Sequence, residues 1–308
     1  MELLRGVASS RISRRSRSRG EWAFDIVIAV LCGLVFLIVA YPLYFVVIAS
    51  VSDQTLVSTG QVTLFPKGFS TFGFEQIFKD PRIWIGYRNT VMYTALGTVV
   101  NLLFTLPAAY ALSRPEFRAR RALMFMFVFT MFFNGGLIPT YLLMKSLHLT
   151  NTMWAFILPF SVNVFNLIIT RTFFESALPK ELYEAASMDG CSHFKYFSMV
   201  ALPLSKAVVS VIALYYLVAH WNDFFTGLIY IRSNSLQPLQ IVLRDILISN
   251  QVFSQGAGAG GNAGGYAQQY ADQVKYGVII VSTLPILLVY PFIQKYFEKG
   301  VMIGSVKG

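Results

Sequence analysis

Long runs without a charged side chain constrain this sequence more than any other feature. Five mostly apolar runs carry no Asp, Glu, Lys or Arg, and a sixth is interrupted only by Asp223; the five are residues 26–52, 89–113, 122–144, 146–170 and 276–294, and the sixth is 207–231. A further uncharged run, 246–271, is not counted because it is mostly Gly, Ser, Asn and Gln after its first few residues. About 20 apolar residues cross the hydrocarbon core of a bilayer as a helix. A spanning backbone must satisfy its own hydrogen bonds, and these runs lack the alternation of barrel strands. The sequence therefore predicts an all-α integral membrane protein with six transmembrane helices.

The runs divide the chain into a basic tail at residues 1–23, a six-span domain at 24–298 and a short C-terminal tail at 299–308. The spans are predicted at about 24–51, 89–113, 122–144, 150–172, 205–231 and 276–294. The first apolar run is too long for a cleaved signal peptide and contains Pro42, so we expect it to be retained. Two segments between the spans are long loops: the loop 178–203 and the Gly-rich loop 232–275.

The placement of basic residues predicts the orientation. The chain is 55% hydrophobic and 13% charged, against about 25% charged in soluble domains, and its formal net charge is +10. The Arg-rich tail RGVASSRISRRSRSR and the loops on the same side of the bilayer hold most of the Lys and Arg. The positive-inside rule then places both termini on the cytoplasmic side of the membrane. We expect that membrane to be a bacterial plasma membrane. Topology accounts for the basic charge, so we expect no nucleic-acid partner.

The loop 178–203 is too polar to span and is predicted to form a short cytoplasmic helix. Pro179 and Glu181 suit the first turn of a helix. Ala185 and Ala186 keep one face shallow, so that it could approach another surface closely. Gly190 stands where a left-handed cap would end the helix. The alternative is an amphipathic helix resting on the membrane surface, although its basic content is low.

Motifs for catalysis are missing from the sequence. There is no phosphate-cradling G-x-x-x-x-G-K-S/T loop, no H-E-x-x-H and no Cys/His cluster with metal spacing. We therefore expect a transport subunit rather than an enzyme, with no catalytic or metal site and no cofactor bound by this chain. Cys32 and Cys191 fall in different compartments and are interpreted as small packing residues.

The stretch EAASMDG, at 184–190, is followed by Val200 and then Leu202-Pro203. This spacing resembles the EAA-x3-G-x9-I-x-LP signature of permease subunits of binding-protein-dependent ATP-binding-cassette (ABC) importers, with Val in place of Ile. The resemblance implies a type I ABC importer permease fold in which this segment is the coupling helix. It assigns ATPase coupling to seven residues: Glu184, Ala185, Ala186, Asp189, Gly190, Leu202 and Pro203.

The same resemblance implies the partners. A second permease would complete the transport path, and two ABC ATPase subunits below would bind ATP and Mg. An extracytoplasmic solute-binding protein would deliver the substrate. Membrane lipid surrounds the spans.

Further stretches narrow the resemblance to carbohydrate permeases of the maltose-type class. They are LPKELYEAASMDG, HWNDFF at 220–225 and QKYFEKGVMIGSVKG at the C-terminus. A fourth stretch, FNGGLIPTYLL at 133–143, is similar to the complex-polysaccharide, lipoprotein-associated subgroup of these permeases. An oligosaccharide from a complex polysaccharide is the implied substrate. An importer permease for a non-carbohydrate solute is an alternative. A secondary transporter is another, although it would predict an internal repeat that we do not find in the sequence. A membrane receptor without transport is a third.

Polar residues among apolar neighbours are candidates for the substrate path. Asp223 stands out because an ionisable residue within a span is costly, and Trp221 could stack on a sugar ring. The full candidate set is Asn134, Tyr141, Asn163, Asn166, Trp221, Asn222 and Asp223. The alternative for each is hydrogen bonding between helices.

The loop 232–275 carries SQGAGAGGNAGGYAQQY, and we expect it to be a mobile extracytoplasmic segment. It is interpreted either as a linker or as an arm that faces an extracytoplasmic partner.

Overall fold

The computed structural model describes residues 19–159, 161–257, 274–289 and 291, and within them the chain forms helices and no strand. The first half contains α1 (Arg19–Ser50), α2 (Gln54–Ser58), α3 (Phe72–Lys79), α4 (Pro81–Ser113), α5 (Arg120–Phe132), α6 (Leu137–Ser146) and α7 (Trp154–Ile157). The second half contains α8 (Val164–Ala177), α9 (Lys180–Met188), α10 (His193–Tyr196), a π-helical turn (Phe197–Ala201), α11 (Leu202–Leu204), α12 (Lys206–Trp221), α13 (Phe224–Tyr230), a 3₁₀ turn (Asn234–Leu236), α14 (Leu239–Ala257) and α15 (Val274–Val289). The all-α prediction is confirmed for these residues.

The helix α4 is the element around which the others pack. It contacts α12, α8 and α14 along its length, and α5 and α7 more locally. The Asp80 carboxylate caps its first turn by accepting from the N–H of Arg82 at 2.9 Å, and Pro81 occupies the first helical position, where its missing N–H costs nothing. The helix therefore begins before residue 89, the predicted start of this span. Arg88, which ended the charge-free run, and Arg82 both lie on its first turns.

In the part of the chain that the structure describes, two helices are long and apolar enough to cross a membrane alone, within Trp22–Ser50 and Pro81–Ser113. Two further spans are possible if each of two bent helix pairs counts as one. These are α5 with α6, bent by 115°, and His193–Leu204 with α12, bent by 84°. The helix α15 is apolar but shorter. The six-span count, with the boundaries given above, stays a prediction from the charge-free runs.

The predicted span at 122–144 is interrupted, which corrects its reading as one continuous helix. The helix α5 ends at Phe132, and Gly136 adopts a φ of +89° before α6 begins. The Asn134 side chain accepts a hydrogen bond from the Gly136 N–H at 2.9 Å. An Asx turn and a left-handed glycine turn the chain here because both favour a bend over a helix. The predicted span at 150–172 likewise divides into α7 and α8, and that at 205–231 into α12 and α13.

Part of the predicted mobile loop 232–275 is ordered. Leu239, Val242 and Leu243 are buried against α4 and its neighbours, and they anchor the first half of α14. Their helical spacing explains the difference, because the glycines begin only at Gly256, near the end of this helix. Residues 258–273 lie outside the described residues, as do the tails at 1–18 and 299–308.

The helix α1 is exposed along its apolar length, and none of its candidate membrane window is buried. Only its C-terminal end joins a core, where Ile48 and Ala49 pack with Val57 and Val62 of the following segment. An apolar helix without a protein partner along its length fits a lipid environment.

Candidate functional site

The signature helix is α9, and its two ends form as the sequence predicts. Pro179 precedes the first helical residue in an extended conformation, and Glu181 lies in the first turn. Gly190 follows with a φ of +74°, and its N–H donates to the Ser187 carbonyl at 3.0 Å. The Cys191 N–H donates to the Ala186 carbonyl, also at 3.0 Å, which satisfies a further carbonyl of the last turn. Gly190 thus ends the helix and reverses the chain.

One face of α9 is anchored and the other is free. Tyr183 and Ala186 pack against a buried core formed by α4, α8 and residues 196–201. Glu184, Ala185 and Met188 are exposed, Met188 to 88%. Asp189, the last residue before the turn, is exposed as well. The signature therefore presents a small carboxylate-bearing surface while its opposite face is held by the body of the protein.

A chain of aromatic rings connects α9 to the long helices. The Tyr183 ring meets the Tyr196 ring edge-on at 5.1 Å, and Tyr196 is fully buried. Tyr196 lies 6.3 Å from Tyr110 of α4, which in turn meets Phe174 of α8 edge-on at 6.0 Å. Phe197 adds a contact to Tyr110 at 5.0 Å. We refer to these five residues, Tyr110, Phe174, Tyr183, Tyr196 and Phe197, as the aromatic joint.

Four residues of the joint are buried, Tyr183 is half-buried, and none of the five carries a charge at neutral pH. Burial raises the pKa of the Tyr196 phenol above its ordinary value of 10.0, and the positive charge of Arg114 opposes that shift. The phenol therefore stays protonated at neutral pH. Aromatic pairs of this kind contribute about 0.5–1.5 kcal/mol each beyond the area they bury. The joint is accordingly a firm mechanical contact between α9, α4 and α8.

The end of the signature leads into α12 through a π-helical turn. The Leu202 N–H donates to the Phe197 carbonyl, five residues back. Pro203 lies in the first turn of α11, where it has no N–H to leave unpaired. Lys206 then starts α12 after a bend of 84°. Leu202 and Pro203 therefore stand at the corner between the loop and the span, as the sequence predicts.

A cavity of about 260 Å³ lies between α4, α7, α12, α13 and the residue that precedes α8. We call it the polar cavity because polar side chains from several of these elements line it, although most of its surface is apolar. Two predicted substrate-path residues, Asn163 and Asp223, line it together with Asn101, Tyr216 and His220, which the sequence reasoning missed. Tyr216, His220 and Asp223 recur at positions i, i+4 and i+7, a spacing that places them on one helical face. That spacing is the signal that could have identified them.

Hydrogen bonds fix most of the polar groups of this cavity. The Tyr216 hydroxyl accepts from the Asn163 N–H at 3.0 Å and lies 2.7 Å from the Thr105 hydroxyl. The Nε2 atom of His220 is 3.3 Å from Oδ1 of Asn101. Asp223 accepts from the Thr226 N–H at 3.0 Å and so caps α13.

Gly97 makes the approach of α12 to α4 possible. A Cβ atom at this position would lie 2.5 Å from both Cε1 and Nε2 of His220, which is shorter than any normal contact. The imidazole therefore occupies space that only a glycine leaves open, next to Asn101 one turn further along α4.

The other predicted substrate-path residues lie outside this cavity. Trp221 is 6% exposed, and its indole N–H donates to the Ser282 carbonyl at 3.0 Å. The Asn222 amide is exposed and donates to the Val218 carbonyl at 2.9 Å. In this conformation Trp221 is a packing residue between α12 and α15.

Three more candidates serve local structure. Asn166 is buried, and its N–H donates to the Asn163 side chain at 3.1 Å, which caps α8. Asn134 shapes the turn between α5 and α6. Tyr141 stacks on Tyr230, with ring centroids 6.0 Å apart. Among the residues that the structure describes, no group of three or more His, Cys, Asp or Glu side chains could hold a metal ion.

Comparisons with known proteins agree with this arrangement. The family model described as "Binding-protein-dependent transport system inner membrane component" matches residues 83–303. The chain is 41% identical to the protein LplC of Bacillus subtilis (strain 168) over 285 residues, covering 92% of this chain and 95% of that protein. It is 39% identical to the polygalacturonan/rhamnogalacturonan transport system permease protein YtcP of the same organism, covering 92% and 98%.

A solved structure has the same fold. It is a chain from the crystal structure of a bacterial ABC transporter involved in the import of the acidic polysaccharide alginate. The TM-score is 0.80 at 33% identity, covering 91% of this chain and 99% of that chain.

Proposed function

This chain belongs to the family of binding-protein-dependent transport system inner membrane components, and from that premise we propose that it is the permease subunit of an ATP-driven sugar importer. Its substrate is an oligosaccharide from a complex polysaccharide. The relatives named for polygalacturonan and rhamnogalacturonan transport, and the alginate transporter, support that substrate class. A second permease, two ATPase subunits that bind ATP and Mg, and an extracytoplasmic binding protein complete the machine. The chain spans the plasma membrane, and both of its termini lie on the cytoplasmic side.

The observation that carries the proposal is the division of α9 into a free face and an anchored face. Exposed Glu184 can form charge-assisted hydrogen bonds with an ATPase groove, and Ala185 allows that groove to approach the helix closely. Anchored Tyr183 and Ala186 prevent the helix from moving independently of the body. A helix built in this way converts the movement of a partner into movement of the chain.

The aromatic joint defines where that movement goes. Because its rings are in contact from Tyr183 through Tyr196 to Tyr110 and Phe174, a displacement of α9 acts on α4 and α8 together. Packed interiors transmit such displacements as rigid-body shifts rather than absorbing them. We assign coupling to Glu184, Ala185, Ala186, Asp189, Gly190, Leu202 and Pro203 on this basis, with the joint as the connection to the spans.

The polar cavity is the proposed contact point for the sugar. Asn101, Asn163 and Asp223 offer amide and carboxylate groups to sugar hydroxyls, and His220 and Tyr216 add a donor or acceptor each. Asn134, Tyr141, Asn166, Trp221 and Asn222 would meet the substrate only in another conformation of the transport cycle, since here they lie outside the cavity.

The coupling role is tested in the complete importer with Glu184→Lys. We expect the complex to assemble, but its binding-protein-stimulated ATPase activity and its sugar uptake to fall by about ten-fold or more, because a charge-assisted contact contributes roughly 1.5–3 kcal/mol. Glu181→Lys is the matched control, since Glu181 is exposed on the same helix outside the signature. Normal transport by both Glu184→Lys and Gly190→Pro would refute the coupling assignment.

The substrate class is tested by uptake of labelled oligosaccharides. Cells that carry the intact importer are expected to accumulate fragments of a plant or algal polysaccharide, and cells without this chain are not. Accumulation of an amino acid or an inorganic ion in place of any saccharide would favour a non-carbohydrate permease.

A further inference from the structure

Arg114, which follows the last residue of α4, is a buried cation. It is 7% exposed, and its guanidinium carbon lies 4.6 Å from the ring centroid of Tyr110 and 5.9 Å from that of Tyr196. Among the described residues, its Nε has no hydrogen-bond partner and no ion pair includes it. Cation–π contact satisfies the face of a guanidinium but leaves the N–H donors at its edge unpaired. An unpaired charge buried in this way is costly unless a further group accepts its hydrogen bonds.

Two more polar groups beside Arg114 lack partners. The hydroxyls of Tyr110 and Tyr196, whose rings flank the guanidinium, are both buried without a hydrogen bond to another described residue. Buried polar groups in native proteins are almost always satisfied. Three unsatisfied groups on one cluster indicate that a further group, beyond the described residues, completes it.

Two cavities meet at Arg114. The larger, of about 420 Å³, is mostly apolar and runs past Pro107, Ala111, Phe117 and Phe194. The smaller, of about 230 Å³, has Arg120 and Lys180 in its wall. Arg114 lines both, so one arginine is shared by an apolar cavity and a basic cavity.

The acidic residues nearby do not cancel this positive charge. Glu175 lines the basic cavity, but it is paired with Arg171 at 2.6 Å. Glu116 lines the apolar cavity and not the basic one, and water screens its charge because its side chain is exposed. The basic cavity therefore attracts an anion.

We propose that this Arg114 site binds an anionic phospholipid of the cytoplasmic leaflet, with the phosphate on Arg114 and an acyl chain in the apolar cavity. Arg114 directly follows the last residue of α4, a candidate membrane-spanning helix, and the predicted orientation puts this helix end on the cytoplasmic side. The end of a span is where a lipid phosphate would meet a basic side chain. A phosphate oxygen accepts strongly from a guanidinium edge. Arg120 and Lys180 favour a headgroup with net negative charge over a zwitterionic one.

The bound lipid would also touch the coupling machinery. Its site is walled by α4 and by Phe194 of α10, beside Tyr110 and Tyr196 of the aromatic joint. An occupied site would brace these helices against each other. Stimulated ATPase activity would then depend on anionic lipid, a consequence that rests on the proposed coupling role, whereas lipid retention does not.

The experiment is native mass spectrometry of the complete importer, purified with its partner subunits and titrated with phosphatidylglycerol or with phosphatidylcholine of the same acyl chains. We expect phosphatidylglycerol to be retained on this subunit, and Arg114→Gln to reduce its retention by about ten-fold, the loss of one charge-assisted hydrogen bond. Arg118→Gln, which removes the same charge from an exposed position of the same loop, should retain it. Ala111→Trp should also lose the lipid, because it fills the apolar cavity while Arg114 stays in place.

Each other outcome would overturn the proposal. Equal retention of both lipids, or full retention by both Arg114→Gln and Ala111→Trp, would exclude the site. Displacement of phosphatidylglycerol by millimolar inorganic phosphate would make a soluble anion the ligand. Loss of the ATPase subunits from Arg114→Gln, with lipid retention unchanged, would show that an acidic protein partner fills it instead.

Discussion

The ring of Tyr183 lies flat against the ring of His193, with centroids 4.9 Å apart and planes 15° from parallel, and the Tyr183 hydroxyl is 3.0 Å from Nε2 of His193. One residue belongs to the signature helix and the other follows the turn at Gly190. The contact therefore joins the two sides of the turn within the loop 178–203 and holds Tyr183 in place against Tyr196.

Two substitutions at Tyr183 separate the roles of its ring and its hydroxyl. Tyr183→Phe keeps the stacking and should cost no more than about 0.5–1.5 kcal/mol in stability, with ATPase stimulation largely intact. Tyr183→Ala removes the contacts to both His193 and Tyr196, and we expect basal ATPase activity without stimulation by the loaded binding protein. Thermal unfolding and stimulated ATPase assays of the complete importer measure the two effects. Equal stimulation of ATPase activity in the two variants would show that the aromatic joint does not transmit movement from α9 to α4 and α8.

The turn at Gly190 predicts a graded response to substitution. A Cβ atom there would meet nothing within 4 Å, so the cost of Gly190→Ala comes only from the φ of +74° and should be about 1–2 kcal/mol. Gly190→Asn should be milder, because asparagine visits left-handed conformations readily. Uptake and thermal stability measured on both variants check this order. Lower uptake or lower thermal stability of Gly190→Asn than of Gly190→Ala would indicate a steric role for Gly190 against a partner chain.

The contact between Gly97 and His220 predicts that two substitutions are coupled. Gly97→Ala places a methyl group 2.5 Å from the imidazole and should destabilise the protein by about 1–3 kcal/mol through overpacking. His220→Ala opens space there, so the double variant should be more stable than the sum of the single effects predicts. Thermal unfolding of the four proteins gives the coupling free energy. Additive effects would contradict the close approach of α12 to α4.

Local features of the signature loop were predictable from the sequence. A helix that ends at Gly190 follows from short-range rules, because a left-handed glycine after the last turn satisfies carbonyls within the same segment. The long apolar helices α1 and α4 also followed, since their charge-free runs exceed the thickness of a bilayer.

Contacts between distant parts of the chain were not predictable. His220 and Asn101 are 119 positions apart, and no sequence feature near either residue indicates that they pair. Trp221 was assigned to the sugar path because of its type, yet its indole donates to Ser282, 61 positions away. The first residue of α4, Pro81, was not predictable from charge-free length, because the helix begins on a capped first turn that carries the charge of Arg82.

The pairing of Asp80 with Arg82 predicts a pH dependence of stability at the start of α4. The Arg82 side chain donates to both carboxylate oxygens, with Nη2–Oδ2 at 2.7 Å and Nε–Oδ1 at 3.1 Å. These hydrogen bonds hold the pKa of the Asp80 carboxyl below its ordinary value of 3.8, although partial burial opposes them. A depressed folded-state pKa stabilises the protein at pH values above 3.8. That contribution is lost as the pH falls below 3.8 and through the lower pKa of the folded state.

Asp80→Asn isolates this charge effect, because asparagine caps a helix about as well as aspartate does. We expect Asp80→Asn to lower the unfolding temperature at neutral pH and to flatten its decline below pH 3.8, relative to the unmodified protein. Arg82→Ala should flatten the decline in the same way, since it removes the partner that lowers the pKa, whereas Asp80→Ala should cost about 1 kcal/mol more through loss of the cap. Thermal unfolding of the purified complex across this pH range measures all three variants. If Asp80→Asn declines with falling pH as steeply as the unmodified protein, the pair does not govern acid stability at this helix end.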